Sequence, residues 1–237
     1  MNNEVNKPFL EHLDELRSRV IKSFLSIILF SVIGYFISDK IIELLILPIN
    51  NYNISFQVLK ITSIFLIKIG LSVVFGIFIS IPIILYQMLK FVLPAFNRNF
   101  NLSKLFFSIL IYLLFFFLGL SFGYFVLIPT SLSFFTSLSI NLPIIELNYT
   151  LENYLVYLIW ILVISSFIFQ LPFLIILLTK LNLVDSISLI KYRRHIIVLF
   201  FILAALFTPP DPVSQILVVI PLYCLFEFSI FLSKYIK

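Results

Sequence analysis

Residues 105–128 read LFFSILIYLLFFFLGLSFGYFVLI, an apolar stretch that contains no charged side chain. An α-helix needs about 20 apolar residues to cross the hydrocarbon core of a bilayer, so this stretch can span a membrane alone. Five further apolar runs cover residues 20–37, 64–89, 155–179, 196–207 and 216–232. The sequence therefore predicts an all-α, polytopic membrane protein with six transmembrane helices.

The fifth and sixth runs are shorter than the first four. Residues 196–207 and 216–232 fall below, or barely reach, the ~20 residues that a hydrocarbon core of ~30 Å requires. We expect these two helices to thin the bilayer locally or to lean on neighbouring helices. Because six spans and short connections fill the 237 residues, we expect one integral membrane domain over residues 1–237.

The composition excludes an ordinary soluble domain. Hydrophobic residues make up 62% of the chain and charged residues only 11%, against about 25% charged residues in typical soluble domains. The first 20 residues lack the short apolar core and small-residue cleavage site of a secretory signal peptide. We therefore expect the first span to be retained in the mature protein.

The distribution of Lys and Arg predicts the orientation. The net charge of +5 comes from basic residues dispersed at the ends of the apolar runs, which indicates topology signals rather than a nucleic-acid surface. Residues 105–179 contain no basic residue at all. By the positive-inside rule, both termini lie on the cytoplasmic or matrix side. The inner clusters are Lys7, Arg17, Arg19 and Lys22; Lys90, Arg98 and Lys104; and Lys180, Lys191, Arg193 and Arg194.

Acidic side chains precede the first span in the segment PFLEHLDELRSR, residues 8–19. Glu11 and Glu15 lie four residues apart, on one face of a predicted amphipathic helix at the inner membrane interface. Two interpretations stay open for these carboxylates. They either pair with Arg17 or Arg19 at a solvated helix start, or form a patch that binds cations.

Lys68 in the second predicted span, Gln170 in the fourth and Glu227 in the sixth are polar side chains within the apolar runs. A charge within the hydrocarbon core is costly unless it is paired or hydrated, so each is a candidate functional residue. The structural alternative is that Lys68 and Glu227 reach the nearer membrane surface with their charged ends.

Prolines and glycines predict how the spans bend and pack. Three prolines in TPPDPVSQ, residues 208–215, prevent helix continuation and predict a rigid outer turn. Pro172 and two further prolines inside the spans predict bent helices with concave walls. Gly119 and Gly123 form a G-x-x-x-G pair, which favours a close helix approach within the chain.

Several segments together resemble the TatC family, the multi-spanning receptor subunit of the twin-arginine protein translocase. The resemblance runs in order over nearly the whole chain and includes Pro48. It rests on HLDELRSR at residues 12–19, ILYQMLKFVLPAF at 84–96, FQLP at 169–172, TPPDPVSQ at 208–215 and IPLYCLFEFSIF at 220–231. The resemblance implies six helices around a concave cavity, and transport of folded proteins driven by the proton-motive force.

The resemblance also implies a signal-peptide site on the inner face. Glu15 would accept an arginine of the signal peptide through charge-assisted hydrogen bonds, and Arg17 belongs to the same motif. The family usually has a second recognition glutamate, and the matching position here is Phe100. Glu11 and Asp14 are the candidates that would replace this charge.

A second implied surface is the cavity with its outer cap. Many bacterial members of the family have a buried glutamate at the position of Gln170, and the resemblance makes this the docking surface for single-span TatA or TatB-like subunits. The predicted cavity set comprises Gln170, Pro48, Asp211, Gln215, Glu227 and Lys68.

Other functions stay open from the residues alone. A secondary transporter or proton-conducting protein would use Glu227, Gln170 and Lys68 to line its path, although no internal repeat is evident. A structural assembly factor would tolerate neutralisation of Glu15. Motifs of nucleotide-binding, metalloprotease and serine-hydrolase enzymes are absent, so we expect neither an enzyme nor a cofactor or metal.

The expected partners are twin-arginine signal peptides of folded proteins, TatA or TatB-like subunits and further copies of the chain, with no nucleic acid. The expected location is an energy-transducing inner membrane. The compact sequence, its heavy use of Phe, Ile, Leu and Asn, and the lack of an extended charged tail favour the mitochondrial inner membrane over a bacterial one.

Overall fold

The computed structural model describes residues 6–52, 56–96, 102–140, 149–181, 183–207 and 212–236. These residues are almost entirely helical, which confirms the all-α prediction. The helices are α1 (Asn6–Ile46), α2 (Ser63–Phe96), α3 (Leu102–Phe122), α4 (Ile128–Ile140), α5 (Leu151–Ile168), α6 (Leu171–Lys180), α7 (Ser186–Lys191), α8 (Arg193–Phe207) and α9 (Pro212–Ile236).

Three short elements complete the described chain. A 3-10 helix at Leu47–Tyr52 follows α1, and a π-helical turn at Gly123–Leu127 joins α3 to α4. Strand β1 (Phe56–Gln57) pairs in parallel with β2 (Tyr149–Thr150). These elements join the helices without adding a further layer.

Five helical stretches of the described chain are long and apolar enough to cross a membrane: Leu13–Ile49, Ser63–Phe91, Leu105–Ser137, Leu151–Lys180 and Gln215–Lys234. The remaining predicted span, residues 196–207, lies within α8. The 15 residues of α8 correspond to about 22 Å at 1.5 Å per residue, short of a ~30 Å core. The fifth predicted span, the total of six spans and the orientation therefore stay predictions.

The chain divides into two compact units, and the first comprises Met1–Glu43 and Thr62–Leu110. Small residues bring α1 and α2 together within it. A Cβ added at Gly76 would lie 2.7 Å from the backbone nitrogen of Ser31, and one at Gly34 would lie 3.0 Å from the carbonyl oxygen of Ser72. Such small-residue contacts are typical of helices that pack in lipid, where burial of apolar surface gives no driving force between helices.

The second unit comprises Leu44–Ile61 and Ile111–Lys237. Within it α9 packs against both α6 and α8. Phe200 of α8 meets Phe226 of α9 edge to face, with ring centroids 6.1 Å apart, and both side chains are fully buried. Leu155 and Leu158 are fully buried on α5, so this unit has an apolar core of its own.

The glycine pair of the third span packs α3 and its π-helical turn against α5, inside the second unit. A Cβ at Gly119 would lie 2.7 Å from the Cα of Ser166, and one at Gly123 would lie 3.1 Å from the Cβ of Ser165. The hydroxyl of Ser165 also donates to the carbonyl oxygen of Gly119 at 2.6 Å. The prediction of a close approach within the chain is confirmed.

Proline has different effects at different positions. The fourth predicted span is broken into α5 and α6, and Pro172 lies at the start of α6. In contrast, α2 continues through Pro82 and α9 through Pro221. Helix α9 begins at Pro212. Proline suits the first position of a helix because the backbone nitrogen there has no hydrogen-bond partner within the helix. Residues 208–211 lie outside the described chain.

Candidate functional site

The acidic segment before the first span forms the beginning of α1, as its pattern predicts. Asp14, Glu15 and Arg17 are all exposed on this helix. Glu11 also lies in α1, but its side chain is outside the described part of the chain, as is Phe100. The structure therefore places three of the four predicted signal-peptide residues at one accessible helix end.

Glu15 is held by Arg19, one turn further along α1. The guanidinium donates to Oε1 of Glu15 through both Nε, at 3.1 Å, and Nη2. Its Nη1 donates to the carbonyl oxygen of Gln87 on α2 at 3.5 Å. The side chain of Arg19 is 13% exposed and that of Glu15 is 47% exposed, so a fixed cation supports an accessible carboxylate.

This pairing favours the first of the two interpretations of the N-terminal carboxylates without excluding the second. Solvent-exposed ion pairs spaced four residues apart on a helix contribute only about 0.3–0.5 kcal/mol. A second guanidinium can therefore compete with Arg19 for Glu15 at low cost.

Lys68 forms a second ion pair in the first unit, far along α1 from the pair of Glu15 and Arg19. Its Nζ lies 2.6 Å from Oδ1 of Asp39 on α1. Asp39 follows the Glu15 and Arg19 pair by 20 residues or more along one continuous helix, or roughly 30 Å at 1.5 Å per residue. The two ion pairs on α1 are thus separated by about the thickness of a hydrocarbon core.

Gln170 lies at the break between α5 and α6 and is 7% exposed. Its Nε2 donates to the carbonyl oxygen of Tyr112 at a long 3.4 Å, whereas its Oε1 has no partner among the described residues. The ring of Tyr112 in turn packs edge to face against Phe173 at 5.1 Å. A buried acceptor without a donor is costly to the fold.

Glu227 is fully engaged by neighbouring side chains in the second unit. Its Oε2 lies 2.7 Å from Nη2 of Arg193, and its Oε1 accepts a hydrogen bond from the hydroxyl of Tyr223 at 2.8 Å. Arg193 begins α8, so the pair ties α8 to α9. A carboxylate within a span is stabilised by such a partner.

The outer-cap residues also lie in the second unit. Pro48 is half-buried in the 3-10 helix beside Ile49, which is fully buried. Gln215 donates through Nε2 to the carbonyl oxygen of Phe201 at 2.9 Å, which ties the start of α9 to α8. Asp211 lies outside the described residues.

Apart from Arg19, sequence reasoning did not identify the partners of these side chains. Asp39, Tyr223 and Tyr112 were not predicted, and Arg193 was interpreted only as a topology signal. One signal was available: Asp39 follows the first apolar run and Lys68 lies near the start of the second, so an α1–α2 hairpin brings them level. The partners of Glu227 and Gln170 depend on contacts that spacing does not encode.

Comparison with known proteins agrees with the motifs. A family model described as the Sec-independent protein translocase protein TatC matches residues 11–221. The chain is 37% identical over 240 residues to the tatC-like protein ymf16 of Reclinomonas americana, covering 98% of this chain and 89% of that protein. It is 32% identical over 231 residues to the Sec-independent protein translocase protein TatC of Carboxydothermus hydrogenoformans, covering 96% and 93% of the two chains.

A solved structure has the same fold. The crystal structure of the twin-arginine translocase receptor TatC matches with a TM-score of 0.79 and 30% identity, over 95% of this chain and 99% of that one. The TatC protein and the TatC receptor of this comparison are translocase proteins, which are transport proteins rather than enzymes. The chain therefore belongs to the TatC family of Sec-independent protein translocases and is a multi-pass protein of an energy-transducing membrane.

Proposed function

We propose that this chain is the receptor core of a twin-arginine translocase, which binds the signal peptides of folded proteins and moves them across the membrane using the proton-motive force. The observation that carries the proposal is the exposed carboxylate of Glu15, supported by a nearly buried Arg19 at the start of α1. A paired-arginine signal peptide offers the guanidinium groups that such a carboxylate binds best.

Recognition in this proposal is an exchange of guanidinium groups. Arg19 already occupies Glu15 and fixes its direction through a further contact with Gln87. An incoming arginine replaces the weak ion pair between Arg19 and Glu15 by another ion pair to Glu15. Because this exchange alone gains little free energy, the affinity for the peptide depends on further negative charge nearby. Asp14 is the next residue in the chain and is exposed, and Glu11 lies one turn before Glu15. We propose that these two carboxylates replace the second recognition glutamate, whose position is occupied here by Phe100.

Partner docking is assigned to the second unit. The orphaned Oε1 of Gln170 would accept a hydrogen bond from a single-span TatA or TatB-like helix. Pro48, Asp211 and Gln215 would form the outer cap of the cavity, and the paired Glu227 would be a structural member of its wall. Lys68, the other predicted cavity residue, lies in the first unit, where it pairs with Asp39. The complex would contain several copies of the chain, with both termini inside and, as the favoured location, the mitochondrial inner membrane.

The secondary-transporter alternative gains no support from the ionisable residues that it requires. Lys68 is paired with Asp39, and both oxygens of Glu227 are engaged by Arg193 and Tyr223. A conducting path would need at least one such group to be available to a moving ion.

A transport assay in energised vesicles tests the proposal. The vesicles contain the full chain with a single-span partner, and the substrate is a folded reporter with a twin-arginine signal peptide. Protease-protected reporter should fall to background with an uncoupler, with a twin-lysine signal, or with Glu15→Gln. The matched control Glu43→Gln, at the far exposed end of α1, should transport normally. Uncoupler-resistant transport, or equal losses in both variants, would contradict the proposal.

A further inference from the structure

A cluster of basic side chains lies where α7 meets α8, at residues 191–195, which read KYRRH. We call this segment the basic corner. Lys191, Arg194 and His195 are exposed, and Arg193 is 39% exposed. Within the described part of the chain, neither Lys191 nor Arg194 forms an ion pair. The proposed signal-peptide site on α1 makes no use of this segment.

Among the described residues, nearby carboxylates do not balance the charge of the basic corner. Glu227 holds Nη2 of Arg193 with one oxygen and accepts from Tyr223 with the other. Asp185 lies at the opposite end of α7 from Lys191, where it precedes the first turn. Lys191, Arg193 and Arg194 therefore face one engaged carboxylate, which leaves a surplus of two positive charges for an anion.

Arg193 adds a directional donor to this charge. Its Nε is buried and has no hydrogen-bond partner among the described residues, although Nη2 is committed to Glu227. A buried donor without an acceptor costs free energy that an incoming oxygen would recover. The guanidinium thus offers a hydrogen bond beside the two exposed cations.

Exposed apolar side chains border the basic corner. Ile187 is 79% exposed, Leu183 is 61% exposed, and Tyr192 is 53% exposed, with its ring edge to face with His195 at 5.8 Å. Large apolar and aromatic side chains interleaved with cations are typical of segments that lie at the lipid headgroup level. This arrangement favours a lipid over a soluble anion as the occupant.

The short length of α8 also brings lipid headgroups close to the basic corner. With α8 as the predicted fifth span, its 15 residues cover about 22 Å, and a ~30 Å hydrocarbon core thins beside it. The basic corner stands at the first turn of this short helix. We propose that the basic corner binds the phosphodiester headgroup of an anionic phospholipid, with Arg193 Nε donating to a phosphate oxygen and with Lys191 and Arg194 supplying charge.

Association of spin-labelled phosphatidylglycerol with the full chain, reconstituted in phosphatidylcholine vesicles, tests this proposal. Lys191→Gln with Arg194→Gln removes two charges from the basic corner. Lys40→Gln with Lys60→Gln removes two charges from exposed lysines elsewhere. We expect phosphatidylglycerol selectivity to fall about tenfold in the first double variant and to stay unchanged in the second. Equal selectivity in the two variants would overturn the proposal.

Two further arms separate the remaining explanations. Arg193→Lys keeps the charge beside Glu227 but removes the Nε donor, so we expect a several-fold loss of selectivity in a protein whose helix contacts are retained. Full selectivity in Arg193→Lys would overturn the assigned donor. Inorganic phosphate at millimolar concentration should leave the bound lipid in place, and displacement would show that a free phosphate, not a lipid, is the occupant.

Discussion

Arg19 donates to the carboxylate of Glu15 from one turn further along α1, while the same guanidinium reaches the carbonyl oxygen of Gln87 on α2. One arginine therefore both orients the exposed carboxylate and occupies it. In the proposed receptor, a signal-peptide arginine must take the place that Arg19 holds.

Removing this internal competitor should strengthen recognition. Arg19→Gln removes this cation from Glu15, and an exposed pair of this kind contributes about 0.3–0.5 kcal/mol. We expect the twin-arginine peptide to bind about twofold more tightly, as measured by fluorescence anisotropy with the purified protein. Lys22→Gln, which removes an exposed charge three residues later, should have little effect. Weaker binding in Arg19→Gln than in Lys22→Gln would show that Arg19 supports the site instead of competing for it.

Glu11 and Asp14, the carboxylates beside Glu15, should each contribute to the binding of the signal peptide. With Phe100 at the position where the family usually has a second glutamate, we expect Glu11→Gln and Asp14→Asn each to weaken peptide binding severalfold, less than Glu15→Gln does. Peptide titrations at low and at physiological salt would measure this, because screening reduces the contribution of exposed charges. A loss confined to Glu15→Gln would refute the assignment of these two residues.

The glycine contact between α3 and α5 should be sensitive to one methyl group. A Cβ at Gly119 would lie 2.7 Å from the Cα of Ser166, whereas one at Gly70 meets no atom within 4 Å. We expect Gly119→Ala to lower the free energy of unfolding by about 1–3 kcal/mol, and Gly70→Ala to be neutral or slightly stabilising. Thermal unfolding in detergent compares the two. Equal melting temperatures of the two variants would show that α3 and α5 can move apart without loss of stability.

The ion pair between Arg193 and Glu227 should show energetic coupling. Glu227→Gln leaves a partly buried guanidinium without its carboxylate, and we expect a loss of about 1–2 kcal/mol in stability. A double-mutant cycle with Arg193→Gln should give a coupling energy of about 1 kcal/mol. The same cycle with Lys234→Gln, two turns further along α9, should give nearly zero. Additive effects in both cycles would mean that the pair contributes nothing to holding α8 on α9.

The long helices follow from the sequence because apolar length and the absence of charge determine where a chain can cross a membrane. The close approach at Gly119 was also predictable, since only glycine permits it. Helix α1 nevertheless begins well before the apolar run of residues 20–37, because the amphipathic segment continues into the span with no break after Pro8.

Most side-chain contacts of the candidate site could not be predicted from the sequence. The pair between Glu15 and Arg19 follows from four-residue spacing on one helix and was one of the two interpretations of this segment. Glu227 stood out as a carboxylate within a span, but its partner depends on packing between helices. Arg193 lies 34 residues before Glu227, and a distance of that kind cannot be derived from helical periodicity. The same holds for Gln170, whose side-chain amide donates to a backbone oxygen 58 residues earlier.

The most direct test of the central claim is the affinity of the membrane-embedded chain for a twin-arginine signal peptide, measured beside its twin-lysine version. Recognition of the arginine pair by Glu15 predicts selective binding of the twin-arginine peptide, lost in Glu15→Gln and kept in Glu43→Gln. Equal binding of both peptides, or full binding by Glu15→Gln, would contradict the claim that Glu15 recognises the arginine pair.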